Sequence, residues 1–369
     1  MDVTRIESLR ESLRRMAEGS FADAPFYKCL ALGMARDDGT LEILSVLPGE
    51  PLLGGRLFAA IQYLVLGGGG AELATVWPGI EATSMSTSPD IDKLAVLAGE
   101  FLVLHQAELA DVMSTRKISQ TNEVGRGSYL VQAVSWLGDP AASAVLVEVG
   151  ASAGLLLNFD RYRYEFGESW FGDSASQVKV RVEQVGERSA PVSDIVRSPS
   201  VRVGLDIEPV DIFCDDDLRW LRACIWPDQP ERVRRFLAAI DIARTYVPDV
   251  RRYDAITGLR TVCDDLSAGT PLLVFHASTL MYTEPAYRKR FYATLEELSD
   301  DRRVDWVFCE PAQIASTFGP DIADALASEP TRTSGFFAPL VHVLFDGPRR
   351  EITLLAWTGP HGAWVEWLA

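Results

Sequence analysis

The residues from Val145 to Gly154 place an apolar run, an acidic residue and a loop of small residues in direct succession. The apolar run ends at Glu148, and Gly150 and Gly154 flank Ser152 in the loop that follows. Glycine lets the backbone approach a ligand closely because it has no Cβ. Backbone amides at the start of a following helix can face a negative charge. The segment therefore predicts a ligand site at the carboxyl end of a strand.

Two chemistries fit this segment. Glu148-x-Gly150-x-Ser152-x-Gly154 resembles the first motif of class I S-adenosylmethionine-dependent methyltransferases, which is an apolar strand followed by acidic-x-Gly-x-Gly-x-Gly. Ser152 takes the place of the middle glycine. The same residues spell Gly-x-Ser-x-Gly, the nucleophile elbow of α/β-hydrolases, with Ser152 as nucleophile. A strand-turn-helix corner without chemistry is the third interpretation, so the rest of the chain must decide.

Composition excludes several classes of function. The 369 residues are 47% hydrophobic and carry a formal net charge of −17, which argues against a nucleic-acid partner. The five cysteines are scattered without a Cys-x-x-Cys pair, and no two of the four histidines have helical metal-ligand spacing. This usage is typical of a reducing cytoplasm with neither a disulfide framework nor a metal site.

The sequence does not predict a membrane-spanning segment. Its first residues are charged and lack the apolar core of a signal peptide. The most apolar stretch, 57–66, is too short to span a bilayer. We therefore expect a cytoplasmic protein without a membrane partner.

The first 140 residues read as a mostly helical region. Ile6, Leu9, Leu13 and Met16 recur at helical spacing, and 24–34 and 57–66 suit two further helices. Asp90 can cap a long helix that continues through Leu109. Whether this region is a lid, a homodimer surface or both is left open.

Strands alternate with helices from residue 141 onward, which predicts a mostly parallel, doubly wound sheet. An inserted hairpin is expected at about 160–200, and a turn at Asp346-Gly347-Pro348 predicts a terminal antiparallel hairpin. Class I methyltransferases characteristically end in such a hairpin. We therefore expect a Rossmann-like, class I methyltransferase-like α/β domain over 141–369. The predicted strands are 144–149, 201–206, 250–255, 271–276 and 304–309, and the predicted helices between them are 216–225, 230–245, 257–267 and 285–298.

The predicted strands end in polar residues that should meet at one edge of the sheet. In the methyltransferase interpretation, Asp206 would bind the ribose hydroxyls and Asp254 the adenine amino group. His276 follows the next strand, where its ordinary pKa near 6.5 suits proton removal from a methyl acceptor. Glu310 ends the fifth strand and could pair with His276 or bind substrate.

The hydrolase interpretation would use Ser152 with His342 or His361 as base and an acid such as Asp321. The chain order of these residues is right for that class. Glu148 weighs against it, since a carboxylate in a buried strand before the elbow is unexpected. A nicotinamide site is also disfavoured, because Ser152 and Leu155 break Gly-x-Gly-x-x-Gly.

Further segments resemble a bacterial family called domain of unknown function 2332, and this resemblance covers nearly the whole chain. The family name implies no established activity, so no catalytic role comes from it. The matching positions are Gln120-Thr121-Asn122-Glu123-Val124-Gly125-Arg126, Glu148 to Gly154 with Leu155, Asn158, Asp160, Arg161 and Tyr162, Gly204-Leu205-Asp206, Trp226-Pro227-Asp228-Gln229 with Arg232, Asp254-Ala255, His276, and His361-Gly362-Ala363-Trp364.

These positions suggest further pocket residues. We expect Asn122, Glu123 and Arg126 to reach over the strand ends and close the pocket, although a hydrogen-bond network at a domain interface is equally compatible. Arg161 could bind a substrate carboxylate bidentately or pair with an acidic neighbour. Asn158, Asp160 and Tyr162 join this candidate set.

The leading function is an S-adenosylmethionine-dependent methyltransferase that acts on a small molecule. Glu148, Gly150, Ala151, Ser152 and Gly154 would hold the methionine part of the cofactor, and no metal is expected. The alternatives are a serine hydrolase that uses Ser152 and a non-catalytic nucleoside-binding protein.

Overall fold

The computed structural model describes residues 3–50, 52, 55–78, 90–116, 122–192, 198–333 and 335–369. The chain divides into two compact units. The first comprises Met1–Thr121 and Phe213–Phe236, and the second comprises Asn122–Ile212 and Leu237–Ala369.

Helices and strands are numbered here in chain order. The helices are α1 (Val3–Glu18), α2 (Pro25–Met34), α3 (Asp38–Val46), α4 (Arg56–Leu66), α5 (Ala71–Ala74), α6 (Ile91–Leu104), α7 (Gln106–Thr115), α8 (Gly127–Leu137), α9 (Asp139–Ser143), α10 (Asp215–Ala223), α11 (Pro230–Thr245), α12 (Ala255–Asp264), α13 (Pro285–Leu298), α14 (Ala312–Ala315) and α15 (Pro320–Ala325). The strands are β1 (Val145–Val149), β2 (Arg163–Phe166), β3 (Ser169–Gly172), β4 (Lys179–Val185), β5 (Arg202–Asp206), β6 (Val250–Arg252), β7 (Leu272–Ala277), β8 (Val304–Cys309), β9 (Ala338–Asp346), β10 (Arg349–Thr358) and β11 (Trp364–Trp367).

The first unit is helical and has its own apolar core. The Asp228 carboxylate accepts hydrogen bonds from the Phe26 and Tyr27 amides at 2.7 and 3.3 Å. These amides begin α2 and have no partner within the helix, so Asp228 caps it. Burial raises the pKa of Asp228. The Trp226 ring packs edge-on against Phe21, so the segment Phe213–Phe236 is tied to the amino-terminal helices.

The three helices predicted before residue 70 are confirmed as α1, α2 and α4. The sequence pattern also predicts a single helix from Asp90 through Leu109. Asp90 does cap α6, since its carboxylate accepts the Asp92 and Lys93 amides. The structure nevertheless breaks the helix at His105, which ends α6 and precedes α7 with non-helical backbone angles. No helix in the described residues is long and apolar enough to cross a membrane.

The second unit contains an eleven-stranded mixed sheet in the described residues, in the order β3-β2-β4-β11-β10-β9-β8-β7-β1-β5-β6. Its parallel stretch β6-β5-β1-β7-β8 has the strand order of a doubly wound sheet, which confirms the predicted Rossmann-like α/β class. β9 pairs antiparallel with β8 and β10 with β9, as the predicted terminal hairpin requires. The predicted insertion contains three strands, β2 to β4, and β4 joins the main sheet through β11.

One element differs from the prediction at the site itself. The chain after the glycine loop forms a 3-10 segment, Leu155–Arg161, in place of the expected α-helix, and Asn158 within it has non-helical angles. The Tyr162 hydroxyl donates to the Leu155 carbonyl and the Tyr164 hydroxyl donates to the Phe159 carbonyl. These hydroxyls satisfy carbonyls that an α-helix would pair with its own amides. The segment therefore offers a ligand no α-helix amino terminus.

Gly204 in the middle of β5 lets the glycine loop lie on the sheet. A Cβ on Gly204 would stand 2.7 Å from the Ala151 Cβ and 3.3 Å from the Leu157 side chain. Real Cβ atoms essentially never approach another atom as closely as 2.7 Å, so this contact requires that residue 204 has no side chain. The loop is thereby held against β5 by packing.

We expect Gly204→Ala to lower the free energy of unfolding by about 1–3 kcal/mol, because the added methyl group overpacks this contact. The matched control is Gly319→Ala, where the backbone is extended and no atom lies within 4 Å of the new Cβ. Urea unfolding of both variants measures the difference. Equal stability of the two would contradict the packing argument.

Candidate functional site

The glycine loop between β1 and the 3-10 segment is tied to the end of β5. Gly150, Ser152 and Gly154 all have positive φ, at 75°, 53° and 69°. The Gly150 and Ala151 amides donate to the Leu205 carbonyl at 2.7 and 3.1 Å. The Ser152 amide donates to Asp206 Oδ2 at 2.8 Å. The loop is therefore folded back on the neighbouring strand end.

Glycine in this loop makes room for protein side chains. A Cβ on Gly150 would lie 2.3 Å from the Thr279 side chain, and one on Gly154 would lie 2.7 Å from Pro248. The expected close approach of the backbone is real, but at these two positions the space is taken by Thr279 and by Pro248 with Val250.

The carboxylate of Asp206 holds the backbone of two loops. Its two oxygens accept the amides of Ser152 and Glu208, both at 2.8 Å, and the residue is 7% exposed. A carboxylate has about four acceptor positions. A further bond to a ligand hydroxyl is compatible with these two, but Asp206 also determines the shape of the loop.

Glu148 lies one residue before the end of β1 and is 4% exposed. Its Oε2 atom is buried and has no hydrogen-bond partner in the described part of the chain. Burial and the negative charge of Asp206 hold the pKa of Glu148 well above its usual range, and the charge of Arg126 opposes them. Glu148 is thus a buried acid next to a cation.

Two residues of the segment before α8 reach this edge. Asn122 Nδ2 donates to the Ala151 carbonyl at 2.8 Å, and Arg126 Nη1 donates to the Ala277 carbonyl at 3.0 Å. Glu123 instead accepts the Gly125 amide at 2.9 Å and caps the short 3-10 turn there. Gln120 and Thr121, which began the same motif, lie outside the described residues.

The turn at His361 packs against the same segment. The Gly362 amide donates to the Tyr129 hydroxyl at 2.9 Å, and a Cβ on Gly362 would lie 2.6 Å from the Gly125 carbonyl oxygen. His361 itself has φ of 57°. This contact fixes the position of the turn that carries Arg126.

In the half of this edge formed by β1, the glycine loop and Asn122, three acceptor atoms are buried without a hydrogen-bond partner in the described residues: Asn122 Oδ1, Glu148 Oε2 and Ser152 Oγ. Leaving a buried polar atom unsatisfied costs roughly 1–3 kcal/mol. The Arg126 guanidinium lies close enough to lower the pKa of Glu148. Acceptors beside a guanidinium suit a ligand that carries both an ammonium and a carboxylate group.

The other half of the edge is organised by Glu310. Its Oε1 atom accepts from the Thr279 and Leu280 amides at 2.8 and 2.9 Å and contacts His276 Nδ1 at 2.8 Å. His276 and Glu310 are both fully buried. Aromatic rings surround the imidazole: Phe291, Trp306, Phe308 and Phe318. The pair holds the loop after β7 from beneath.

Asp254 caps α12 by accepting the Ile256 and Thr257 amides at 3.1 and 3.3 Å, and the Tyr287 hydroxyl donates to it at 3.1 Å. Burial raises the pKa of Asp254, but these hydrogen bonds outweigh burial and hold it below its ordinary value.

Exposed apolar residues follow three of the parallel strands, which are not all adjacent to one another. Ile207 follows β5, Tyr253 follows β6 and Tyr282 follows β7, with exposures of 56%, 37% and 64%. Together they provide an apolar rim beside Asp206 and Asp254.

Of the remaining predicted pocket residues, Tyr162 lies close to Glu148, since burial and then the charge of Glu148 raise the pKa of Tyr162, whereas the other three make their contacts elsewhere. Asp160 binds Arg202, the first residue of β5, through two bonds of 2.7 Å, so it is not the partner of Arg161. Arg161 lies over the Tyr246 ring, and Asn158 donates to the Tyr246 carbonyl at 3.0 Å. Tyr162 is buried and bonded to the backbone.

Two residues of the hydrolase interpretation, His342 and Asp321, are not assembled with Ser152. His342 lies on β9 and bonds to Asp305 at 2.8 Å, while Asp321 bonds to Arg350. The strand register places His342 three strands from Glu148, a distance of about 14 Å across the sheet. His342 therefore cannot serve as base for Ser152.

The sequence analysis missed the part played by Ser278 and Thr279. Ser278 has φ of 53°, and its amide donates to the Cys309 carbonyl at 2.9 Å. Thr279 packs against Gly150. Small polar residues directly after a buried strand were the available signal, but nothing in the sequence pairs them with a glycine 129 positions earlier.

The fold and this edge define a Rossmann-like α/β protein whose parallel strands end at a cluster of buried polar groups. Among the described residues, no group of three or more His, Cys, Asp or Glu side chains could hold a metal ion.

The chain belongs to the family described as uncharacterized protein conserved in bacteria (DUF2332), which matches residues 10–367. No curated protein and no solved structure matches it.

Glu148→Gln should change how stability depends on pH. The unfolded glutamate ionises near pH 4.3, whereas the folded protein keeps the proton to higher pH. The folded state then binds more protons, so wild-type stability falls as pH rises through this window, by up to about 1.4 kcal/mol per pH unit. Glutamine has no proton to lose. We expect the stability of the variant relative to wild type to rise with pH above about pH 4.3, where the unfolded glutamate ionises.

Denaturant unfolding at several pH values measures this difference. The control is Glu351→Gln, which removes an exposed carboxylate paired with Arg349. Parallel pH profiles for wild type and Glu148→Gln would contradict a raised pKa.

Glu310→Ala should loosen the loop after β7, because three polar groups lose one shared acceptor. We expect amide hydrogen exchange at Thr279 and Leu280 to accelerate by about tenfold or more, consistent with loss of charge-assisted hydrogen bonds. Exchange mass spectrometry measures this, and β5 serves as the internal reference. Unchanged protection at both amides would show that other contacts hold the loop.

Proposed function

We propose that this protein binds S-adenosylmethionine at the carboxyl edge of β1, β5 and β7 and transfers its methyl group to a small molecule. The observation that supports this most strongly is the set of three buried acceptors without a protein partner in the described residues, beside Arg126. The fold class supports it as well, since doubly wound sheets bind ligands at this edge. The family itself has no described activity.

The residues at the edge fit the two ends of the cofactor. Asn122 Oδ1, Glu148 Oε2 and Ser152 Oγ would accept from the α-ammonium group, and Arg126 would donate to the α-carboxylate. The apolar rim of Ile207, Tyr253 and Tyr282 suits the adenine ring. The remaining acceptor positions of Asp206 and Asp254 suit the ribose and the amino group.

Bound S-adenosylmethionine supplies a methyl group on a positively charged sulfur, which needs an acceptor in line with the bond that breaks. The contribution of this chain is placement. The glycine loop and the loop after β7 are fixed from below by Asp206 and Glu310. Such fixed geometry lowers a bimolecular barrier more than acid–base help does.

His276 and Glu310 are therefore assigned to positioning in this proposal. Both are fully buried, and aromatic rings enclose the imidazole. A base is needed only for an acceptor that carries a proton at its reacting atom. In the described residues, His276 Nε2 is buried and has no hydrogen-bond partner that could take up such a proton.

Isothermal titration calorimetry with S-adenosylhomocysteine tests the binding site. We expect micromolar binding to wild type and a loss of about tenfold or more in Arg126→Gln and in Glu148→Gln, since the first removes a cation and the second a carboxyl group that the ammonium of the ligand would ionise, each worth at least about 1.4 kcal/mol. Arg349→Gln, at an exposed ion pair, is the matched control. Asp206→Ala is less informative, because it also releases the Ser152 amide.

Two results would contradict the proposal. One is the absence of binding at millimolar ligand. The other is binding that neither substitution weakens, which would place the ligand elsewhere on the protein.

A further inference from the structure

A cavity of about 360 Å³ lies in the second unit, apart from the candidate site. It is formed by the end of the 3-10 segment, the connection between β3 and β4, and the end of α11. Its volume is at the lower end of the range found for small-molecule pockets. The charged and aromatic residues that line it are Arg161, Asp173, Asp241 and Tyr246.

Arg161 is held in this cavity by stacking. Its guanidinium carbon lies 3.4 Å from the centroid of the Tyr246 ring. Its Nε atom is buried and has no hydrogen-bond partner in the described residues. The adjacent carboxylate, Asp160, is fully engaged with Arg202. Stacking fixes the plane of the guanidinium while its donors remain without a protein acceptor in the part of the chain described.

Two carboxylates line the same cavity. Asp173 accepts the Ala175 amide with one oxygen at 2.8 Å, and Asp241 lies on an exposed face of α11. Neither forms an ion pair with Arg161 within the described residues, although all three line one small volume. The cavity is thus lined by one positive and two negative side chains.

The cavity is distinct from the strand-end site. Arg202, which binds Asp160, is the first residue of β5, and Asp206 is the last. The four steps along the strand from Arg202 to Asp206 span about 13 Å. The chain from Ser152, bound to Asp206, to Asp160, bound to Arg202, runs between the two positions. A ligand at Arg161 would therefore not be the methyl acceptor at the strand ends.

We propose that this cavity is a second ligand site, and that it binds a free α-amino acid. The carboxylate of the ligand would take a bidentate contact from Arg161, and its ammonium group would lie against Asp173 and Asp241. A dianion such as a phosphate would be repelled by the two aspartates, and a polyamine would be repelled by Arg161. A small zwitterion satisfies both signs of charge.

Saturation-transfer difference NMR on the full chain tests this, with each of the protein amino acids as probe at millimolar concentration. We expect at least one to bind. Ethylamine and propionate, which each keep one charged group of L-alanine, should give weaker signals than their zwitterionic parent. The absence of a signal from every amino acid would overturn the proposal.

Arg161→Gln and Asp241→Asn identify the site. We expect each to weaken binding of the responding amino acid by about tenfold, the loss of one charge-assisted contact. Asp241 lies on an exposed helix face, so its substitution should leave the fold intact. Arg161→Lys keeps the charge but removes the planar fork and should recover only part of the affinity. Unchanged binding in both Arg161→Gln and Asp241→Asn would overturn the assignment.

The two proposals can fail separately. Calorimetry with S-adenosylhomocysteine should give the same affinity for Arg161→Gln and wild type, since the cavity and the strand-end site do not share residues. A parallel loss of both ligands in Arg161→Gln would contradict a distinct second site.

Discussion

The carboxylate of Asp206 is the contact on which the strand-end site depends. It joins the end of β5 to the glycine loop through the Ser152 amide, and it orders its own turn through the Glu208 amide. Ala151, next to Ser152, then offers its carbonyl to Asn122. Together with the amides that bind the Leu205 carbonyl, this bond places Ser152 and the carbonyl that Asn122 binds.

Glu310 does the same for the neighbouring loop. It satisfies the Thr279 and Leu280 amides, and Thr279 in turn packs on Gly150. Two buried carboxylates thus hold two loops that touch each other. Glu148 lies on the strand between them, where burial and the charge of Asp206 raise its pKa and its Oε2 atom has no hydrogen-bond partner in the described residues.

Much of this fold was predictable because its signals are local. Apolar runs indicated the parallel strands, a turn sequence indicated the hairpin between β9 and β10, and Asp90 begins a helix as a capping residue does. The leucine run after Gly154 misled, because the Tyr162 and Tyr164 hydroxyls take the carbonyls of the expected helix. Hydroxyl bonding of that kind has no periodic pattern.

The roles of the polar strand ends were less predictable than their positions. Asp206 and Glu310 look alike in the sequence, since each is an acid that follows an apolar run. Both accept backbone amides in the structure, but of the two only Glu310 also contacts a histidine. The bond between Asp160 and Arg202 joins residues 42 positions apart. Contacts of that kind follow from how the chain returns to the sheet, which no spacing rule encodes.

The way the insertion joins the sheet has a consequence for synthesis of the chain. Glu183 on β4 is paired with Trp364 on β11, 181 positions later, so one side of β4 lacks its partner strand while most of the protein is being made. An open strand edge invites pairing with other chains. The outward side chains Lys179, Arg181 and Glu183 are charged and exposed. Their hydration makes a foreign strand a poor substitute, so the charges on β4 protect a nascent edge until β11 arrives.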